Sequence, residues 1–233
     1  MGKRLKELTQ DVTKCMIKVN NITLIERMLG QLDRLNLSRI IIVVGYQAKK
    51  LIDFVNTLKI KTPIIYINND IYNQTNNIYS LYLARDYLLK EDTLLFESDL
   101  IFESKIIDHL LDDPYPNLAL VAKYESWMDG TVVTIDDSNE ILDFIDKRHF
   151  KFSDISGYYK TVNIYKFSKD FSSKYYVPIL ESYSQALGRN EYYEQILRII
   201  ILLNRADLLA EAVIKAKVVP PGESWYEIDD LAD

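Results

Sequence analysis

In the segment TLIERMLGQLDRLN, Leu24, Ile25, Met28, Leu29, Leu32 and Leu35 recur on one face of a 3.6-residue period. That spacing predicts an amphipathic helix, and Thr23 followed by Glu26 supplies the S/T-x-x-E capping signature at its start. RIIIVVGY reverses the pattern: it is an unbroken apolar run of strand length, suited to burial on both faces and closed by Gly45. The alternation then repeats. QAKKLIDFVNTL predicts a helix, PIIYIN a strand after Pro63, NNIYSLYLARDYLL a helix and TLLFESD another strand. Strands and helices taking turns predict a parallel sheet with right-handed crossovers.

After Asp99 the rhythm changes. SKIIDHLL predicts a short helix and NLALVAKY a strand, while GTVVTID and EILDFID flank a turn signal at 136–138 and predict a hairpin. YYKTVNIYKF alternates as a strand, KDFSSKYYVPILESYSQAL and NEYYEQILRIIILLNR read as helices, and AEAVIKAKVV as a last strand before the turn at 220–222. The expected layout is one domain over 1–233, with a nucleotide-binding half at 1–102 and an acceptor-binding half at 103–233. Its fold class is α/β, a Rossmann-like, mostly parallel sheet sandwiched by helices.

Composition narrows the function. A chain of 233 residues buries roughly 70–75% of its unfolded surface and needs no staple. No apolar run approaches the roughly 20 residues of a spanning helix, so membrane insertion is not expected. Cys15 is the single cysteine and MGKRLKELTQD lacks the apolar core of a signal peptide, which makes the cytoplasm the expected compartment. The net charge of −6 has the wrong sign for non-specific nucleic-acid binding, so any polyanionic ligand must be held by a few placed cations or metals. Only 7 residues are glycine, where about 7% of a chain is usual, although phosphate-cradling loops consume glycine.

In open parallel sheets ligands bind beyond the carboxyl ends of strands. Three such ends carry polar chemistry: Gly45-Tyr46, the stretch from Asn68 to Asn77, and Glu97-Ser98-Asp99. Alternation points Glu97 and Asp99 to the same side, as a Mg²⁺ site or a plain solvated strand end. WYEIDDLAD offers a second carboxylate arm. In TNNIYS, Asn76, Asn77 and Ser80 open a helix where they bond a ligand or simply cap the helix. Asp129, near Trp127 and the tyrosines Tyr192 and Tyr193, has the chemistry to receive an amine or quaternary ammonium.

MGKRLKELTQDVTKCMIKVNNITLIERML resembles the signature of the sugar-phosphate nucleotidyltransferases, in which a glycine-rich loop ends G-x-R-L and a lysine lies in P-K-x-L. Gly2, Arg4 and Leu5 match the loop and Lys14 the lysine, with Thr13 and Thr23 standing where proline is usual. IIIVVGY, NNDIYNQTNNIYSLYLA, LLFESDLIF, DGTVV, YYKTVNIY and WYEIDDLAD are most similar to the cytidylyltransferases of that superfamily that act on phosphocholine, aminoethylphosphonate and related acceptors. The resemblance implies Arg4 and Lys14 as catalytic cations and Gly2, Gly45, Tyr46, Asn76 and Asn77 as nucleotide contacts. It further implies Ser80, Asp129, Lys160 and Tyr193 as acceptor contacts, and Asp99 and Asp229 as Mg²⁺ ligands. The family opens with an A-x-I-L-A-A-G strand feeding the loop. Here the chain starts at the loop's last turn, so the expectation is a late start or truncation lacking about ten residues, which also accounts for part of the glycine shortage.

The implied reaction attacks the α-phosphate of CTP with an already ionised phosphate or phosphonate oxygen and expels pyrophosphate. It needs no general base, in keeping with only two histidines, His109 and His149. The resemblance leaves room for a homodimer and for a fused or partner domain downstream. The rival readings are a uridylyl- or guanylyltransferase making a sugar nucleotide, a glycosyltransferase using the carboxylate site on a nucleotide-sugar, and an inactive or regulatory domain.

Overall fold

The computed structural model describes Leu5 and residues 9–229. A 3-10 turn at Lys14–Met16 leads into a hairpin of β1 (Lys18–Val19) and β2 (Ile22–Thr23). Its two-residue turn, Asn20-Asn21, has φ of 52° and 64°. Asparagine tolerates this left-handed region, which a primed hairpin turn requires. Helix α1 (Leu24–Asp33) begins as expected, with the Thr23 hydroxyl accepting from the Glu26 N–H at 3.1 Å.

The chain continues through β3 (Ile40–Val44), α2 (Ala48–Val55), β4 (Ile64–Asn68), α3 (Asn77–Leu88), β5 (Thr93–Phe96), β6 (Leu100–Phe102) and α4 (Ser104–Asp112). Then come β7 (Leu118–Lys123), β8 (Val132–Ile135), β9 (Ile141–Ile145), β10 (Tyr159–Phe167), α5 (Lys169–Phe171), α6 (Val177–Ala186), α7 (Glu194–Arg205), β11 (Lys215–Val218) and β12 (Trp225–Glu227). The helix expected over 169–187 is divided by a wider π turn at Ser172–Tyr176. Pro178 follows in the first turn of α6, directly after this π turn, so its missing N–H falls where the helical ladder is already irregular.

These elements form two compact units. The first comprises Met1–Gln74, Glu97–Ser104 and Ser224–Asp233, as far as they are described, and the second comprises Thr75–Phe96 and Lys105–Glu223. Their bounds depart from a division at 102, because α3 and β5 join the second unit while the segment after 223 returns to the first. In the first unit β3 and β4 pair in parallel from Ile40↔Ile64 to Val44↔Asn68, and β6 pairs with β12 antiparallel. Leu5, Leu24 and Ile228 pack together there against Ile17, Val19 and Ile101.

In the second unit the strand order is β11-β7-β10-β8-β9, with β5 also on β10. β11 runs parallel to β7, and the other pairs are antiparallel. The core gathers Phe144, Tyr165, Phe167, Leu180, Ile196 and Ile200 around β10.

The fold class is α/β as read, but "mostly parallel" gives way to mixed. The parallel β3–β4 pair does not extend to β5, which instead runs antiparallel to β10 with Ile164 opposite Phe96. Among the described residues, β3 has one ladder partner, β4, and β5 has one, β10. The last expected strand shortens to β11. Among the described residues no helix is long and apolar enough to cross a membrane.

Candidate nucleotide and metal site

Lys14 stands in the 3-10 turn that precedes β1, with its stem half-buried. Its Nζ donates to Asp99 Oδ2 at 2.6 Å and to Asp229 Oδ1 at 2.7 Å. The partners lie 85 and 215 positions away in sequence. The β6–β12 ladder, with Glu227 opposite Leu100, and the bond from the Ile228 N–H to the Asp99 carbonyl at 3.0 Å bring them together. Burial disfavours the ammonium's charge, but the two carboxylates outweigh it and hold the Lys14 pKa above the usual lysine value.

Two carboxylates clasping one cation define a cation site, and its donor set is larger than this pair. Carboxylate oxygens of Glu97, Asp99 and Glu227 lie within 4.8 Å of one another. Asp99 is only 13% exposed, and among the described residues its buried Oδ1 has no hydrogen-bond partner. A buried, unpartnered carboxylate oxygen beside further carboxylates fits a hard divalent cation such as Mg²⁺. Glu97 and Glu227 were legible in the sequence as acidic residues at two ends, but not as neighbours. Cys15, beside Lys14, is buried, and burial pushes its thiol pKa up, which keeps it inert.

At the carboxyl end of β3, the chain passes close under Tyr72. A Cβ added at Gly45 would stand 2.7 Å from Tyr72 Cβ, so only glycine fits. The Tyr46 ring is tilted against Tyr72 with centroids 6.0 Å apart, and its hydroxyl donates to the Gln10 carbonyl. Lys50 Nζ donates to the next carbonyl, Asp11 O, at 2.9 Å. Tyr46 therefore acts on the segment leading to Lys14. Gly2 and Arg4 lie outside the described residues.

The remaining candidates belong to the second unit. Asn76 caps α3 by accepting from the Asn77 N–H at 2.9 Å, and Asn77 Oδ1 accepts from the Tyr193 N–H at 3.0 Å. Both side chains thus make the capping and bracing bonds of the bland alternative, and Ser80 lies one turn further along α3. Tyr193 is 3% exposed, set edge-on against Tyr165 in the core. Its side chain is a packing residue here, whereas neighbouring Tyr192 is exposed. Both Asp129 carboxylate oxygens lie 3.1 Å from Lys147 Nζ, and Oδ1 also accepts from the Gly130 N–H at 2.9 Å. Lys160 is buried on β10. The pairing of Asp129 with Lys147 had no signal in the sequence.

The fold is that of the nucleotidyltransferases. The structure of CTP:phosphocholine cytidylyltransferase from Streptococcus pneumoniae superposes with a TM-score of 0.75 at 21% identity, covering 99% of this chain and 90% of that one. In sequence the chain is 26% identical over 235 residues to CMP-5'-(3-aminopropyl)phosphonate synthase of Streptomyces rubellomurinus, a match that covers 100% of this chain and 36% of that protein. It is also 38% identical over 88 residues to a choline-phosphate cytidylyltransferase of Streptococcus pneumoniae, covering 38% of this chain and 37% of that protein. These matches thus span about a third of each curated relative. No protein-family model matches the chain. The relatives agree with the resemblance carried by the motifs, cytidylyltransferases within the nucleotidyltransferase superfamily.

Proposed function

We propose that the protein transfers a cytidylyl group from CTP to a small phosphorylated or phosphonylated acceptor and releases pyrophosphate. The observation that carries this reading is the clasp of Lys14 by Asp99 and Asp229, with the buried Asp99 Oδ1 beside it unpartnered among the described residues. An acceptor phospho or phosphono oxygen forms a bond to the α-phosphorus as the bond to the β-phosphate bridge oxygen breaks, and pyrophosphate carries away the electron pair. The difficulty is repulsion between anions, which positioned cations relieve. Lys14, together with Arg4, holds the triphosphate oxygens. Asp99 and Asp229, with Glu97 and Glu227 nearby, would hold Mg²⁺, which would supply neutralisation of the charge on the reacting phosphates. Gly45 and Tyr46 serve the nucleotide by fixing the segment before Lys14.

The names of the relatives favour an acceptor with an amine or quaternary ammonium at its far end, and the Asp129 carboxylate suits that charge. CTP as donor makes the cytoplasm the working compartment. Sizing the native protein in solution tests for a homodimer, and its intact mass reports any fused downstream domain. The reading itself is tested by pyrophosphate release, crossing CTP, UTP, GTP and ATP with phosphocholine, aminoethylphosphonate, inositol phosphate and sugar phosphates. The expected result is turnover with CTP and a phospho- or phosphono-amine. Release with UTP or GTP and a sugar phosphate, but none with CTP, would replace the proposal by a sugar-nucleotide synthase.

A further inference from the structure

Lys160 is 2% exposed, an ammonium held almost wholly inside the second unit. Burying such a charge is costly unless fixed groups receive it. Its Nζ donates to the carbonyl of the next residue, Thr161, at 2.6 Å. Two unusual stretches of backbone meet at this lysine.

The first is Gly130, two residues before β8, with φ of +103°. A Cβ built there would lie 3.3 Å from Lys160 Cε and 3.4 Å from Nζ. Any other residue would thus combine an unfavourable φ with a methyl pressed against the ammonium. The missing side chain leaves a notch beside Nζ of the size of one methyl group.

The second is Asn163, three residues beyond the lysine. It is buried within β10, yet its φ is 61°, in the left-handed region. Here the ladder to β7 breaks. Thr161 faces Val121 and Tyr165 faces Ala119, so the stretch from Thr161 to Tyr165 carries two more residues than the β7 segment opposite it. The irregularity is fastened by side chains. Thr161 Oγ1 lies 2.9 Å from Asn163 Oδ1 and 3.1 Å from the Thr131 carbonyl, and the Thr161 N–H donates to that carbonyl at 3.2 Å. Asn163 therefore fixes the orientation of Thr161, whose carbonyl holds the Lys160 ammonium, against the residue that follows Gly130. Left-handed backbone at a buried, non-glycine strand position is disfavoured, and such outliers concentrate where a side chain must be aimed.

We propose that Gly130 and Asn163 are positioning residues that hold the Lys160 ammonium beside a notch which receives the phospho or phosphono group of the acceptor. A buried ammonium attracts an anion more strongly than an exposed one, because little water screens it. The notch admits an oxygen of the anion where a Cβ would exclude it. This deepens the proposed reaction and rests on the reading of Lys160 as an acceptor contact.

The test is calorimetric binding and steady-state kinetics with phosphocholine and with aminoethylphosphonate as probes, in the presence of Mg²⁺, for the parent, Lys160→Met, Gly130→Ala, Asn163→Val and Asn163→Gly. Lys160→Met, Gly130→Ala and Asn163→Val should each raise the acceptor Kd and KM by about tenfold or more, with the KM for CTP changed by less than about threefold. Asn163→Gly, which adopts the left-handed φ freely, should recover most of the acceptor affinity lost in Asn163→Val. Unchanged acceptor binding in Lys160→Met would overturn the acceptor role of the lysine and this inference with it. A loss in Lys160→Met that Gly130→Ala and Asn163→Val do not share would overturn the seat alone, as would equal losses of CTP and acceptor affinity in those two variants. Failure of both probes to bind the parent would also count against it.

Discussion

Lys14 neutralises two carboxylates that the fold brings within 3 Å of a single ammonium, so its removal leaves Asp99 and Asp229 facing one another. Lys14→Ala should therefore lose stability as well as activity, and Asp99→Asn is the cleaner probe because it keeps the shape and removes one charge. One positioned charge contact of this kind is worth about 3–4 kcal/mol in the barrier, so turnover in Asp99→Asn should fall roughly a hundredfold or more with circular dichroism unchanged. A folded Asp99→Asn protein with near-normal turnover would take Asp99 out of the mechanism. At this scale the residue types of the site were legible: a lysine in a signature, a carboxylate at a strand end, an acidic tail. Their meeting was not, because it depends on the ladder that pairs residues more than a hundred positions apart. The same limit hid the Lys147 partner of Asp129, since no local pattern sets one hairpin arm's carboxylate against a lysine beyond the other.

Among the elements, α1 was the most legible, because a helix cap and an apolar stripe are written in residues close together in sequence and can be read without knowing any long-range contact. β5 was the least, since a short apolar run does not say whether its neighbour is parallel or antiparallel, and β10 takes it antiparallel. Long-range ties between elements can be tested one at a time. Lys217 on β11 donates to Asp113, just past the end of α4, at 2.8 Å, and Asp113 also accepts from the Tyr115 N–H at 3.0 Å. Burial alone would raise the Asp113 pKa, but Lys217 and the Tyr115 amide outweigh it and leave it below the usual carboxylate value of 3.8. A depressed pKa means the unfolded chain binds the proton more readily. The contribution is therefore complete above about pH 4 and is lost as the pH falls through the lower, folded-state value. Asp113→Asn should cost about 1 kcal/mol at pH 7, and in acid titrations the difference from the parent should vanish below the depressed pKa. A difference that stays constant down to pH 2 would mean that shape, and not charge, makes this tie.

For the molecule as a whole, the decisive quantity is the linkage between ligand and stability. Each unit is assembled from stretches distant in sequence, and the chain passes from one unit to the other at 74–75, 96–97, 104–105 and 223–224. The first unit is thus completed only when its last segment, with β12 and Asp229, has joined β6 and Asp99. A ligand that binds the carboxylate cluster therefore binds only chain in which β12 has joined β6, and it should stabilise the native state by mass action. At a hundred times its Kd, CTP with Mg²⁺ should add about 2.7 kcal/mol. For a chain of this size that corresponds to a rise in Tm of about 5–10 °C. The sign of the protein's charge makes the metal's share measurable. With a net charge of −6 and Glu97, Asp99, Glu227 and Asp229 at the candidate site, bare CTP would meet repulsion that a bound dication would remove. Replacing Mg²⁺ by EDTA should therefore abolish most of the Tm rise that CTP produces, while EDTA alone should leave the Tm of the ligand-free protein unchanged. If CTP in EDTA raised the Tm as far as CTP with Mg²⁺, the carboxylates would not be holding a metal for the nucleotide, and Lys14 with the loop before it would have to account for the binding.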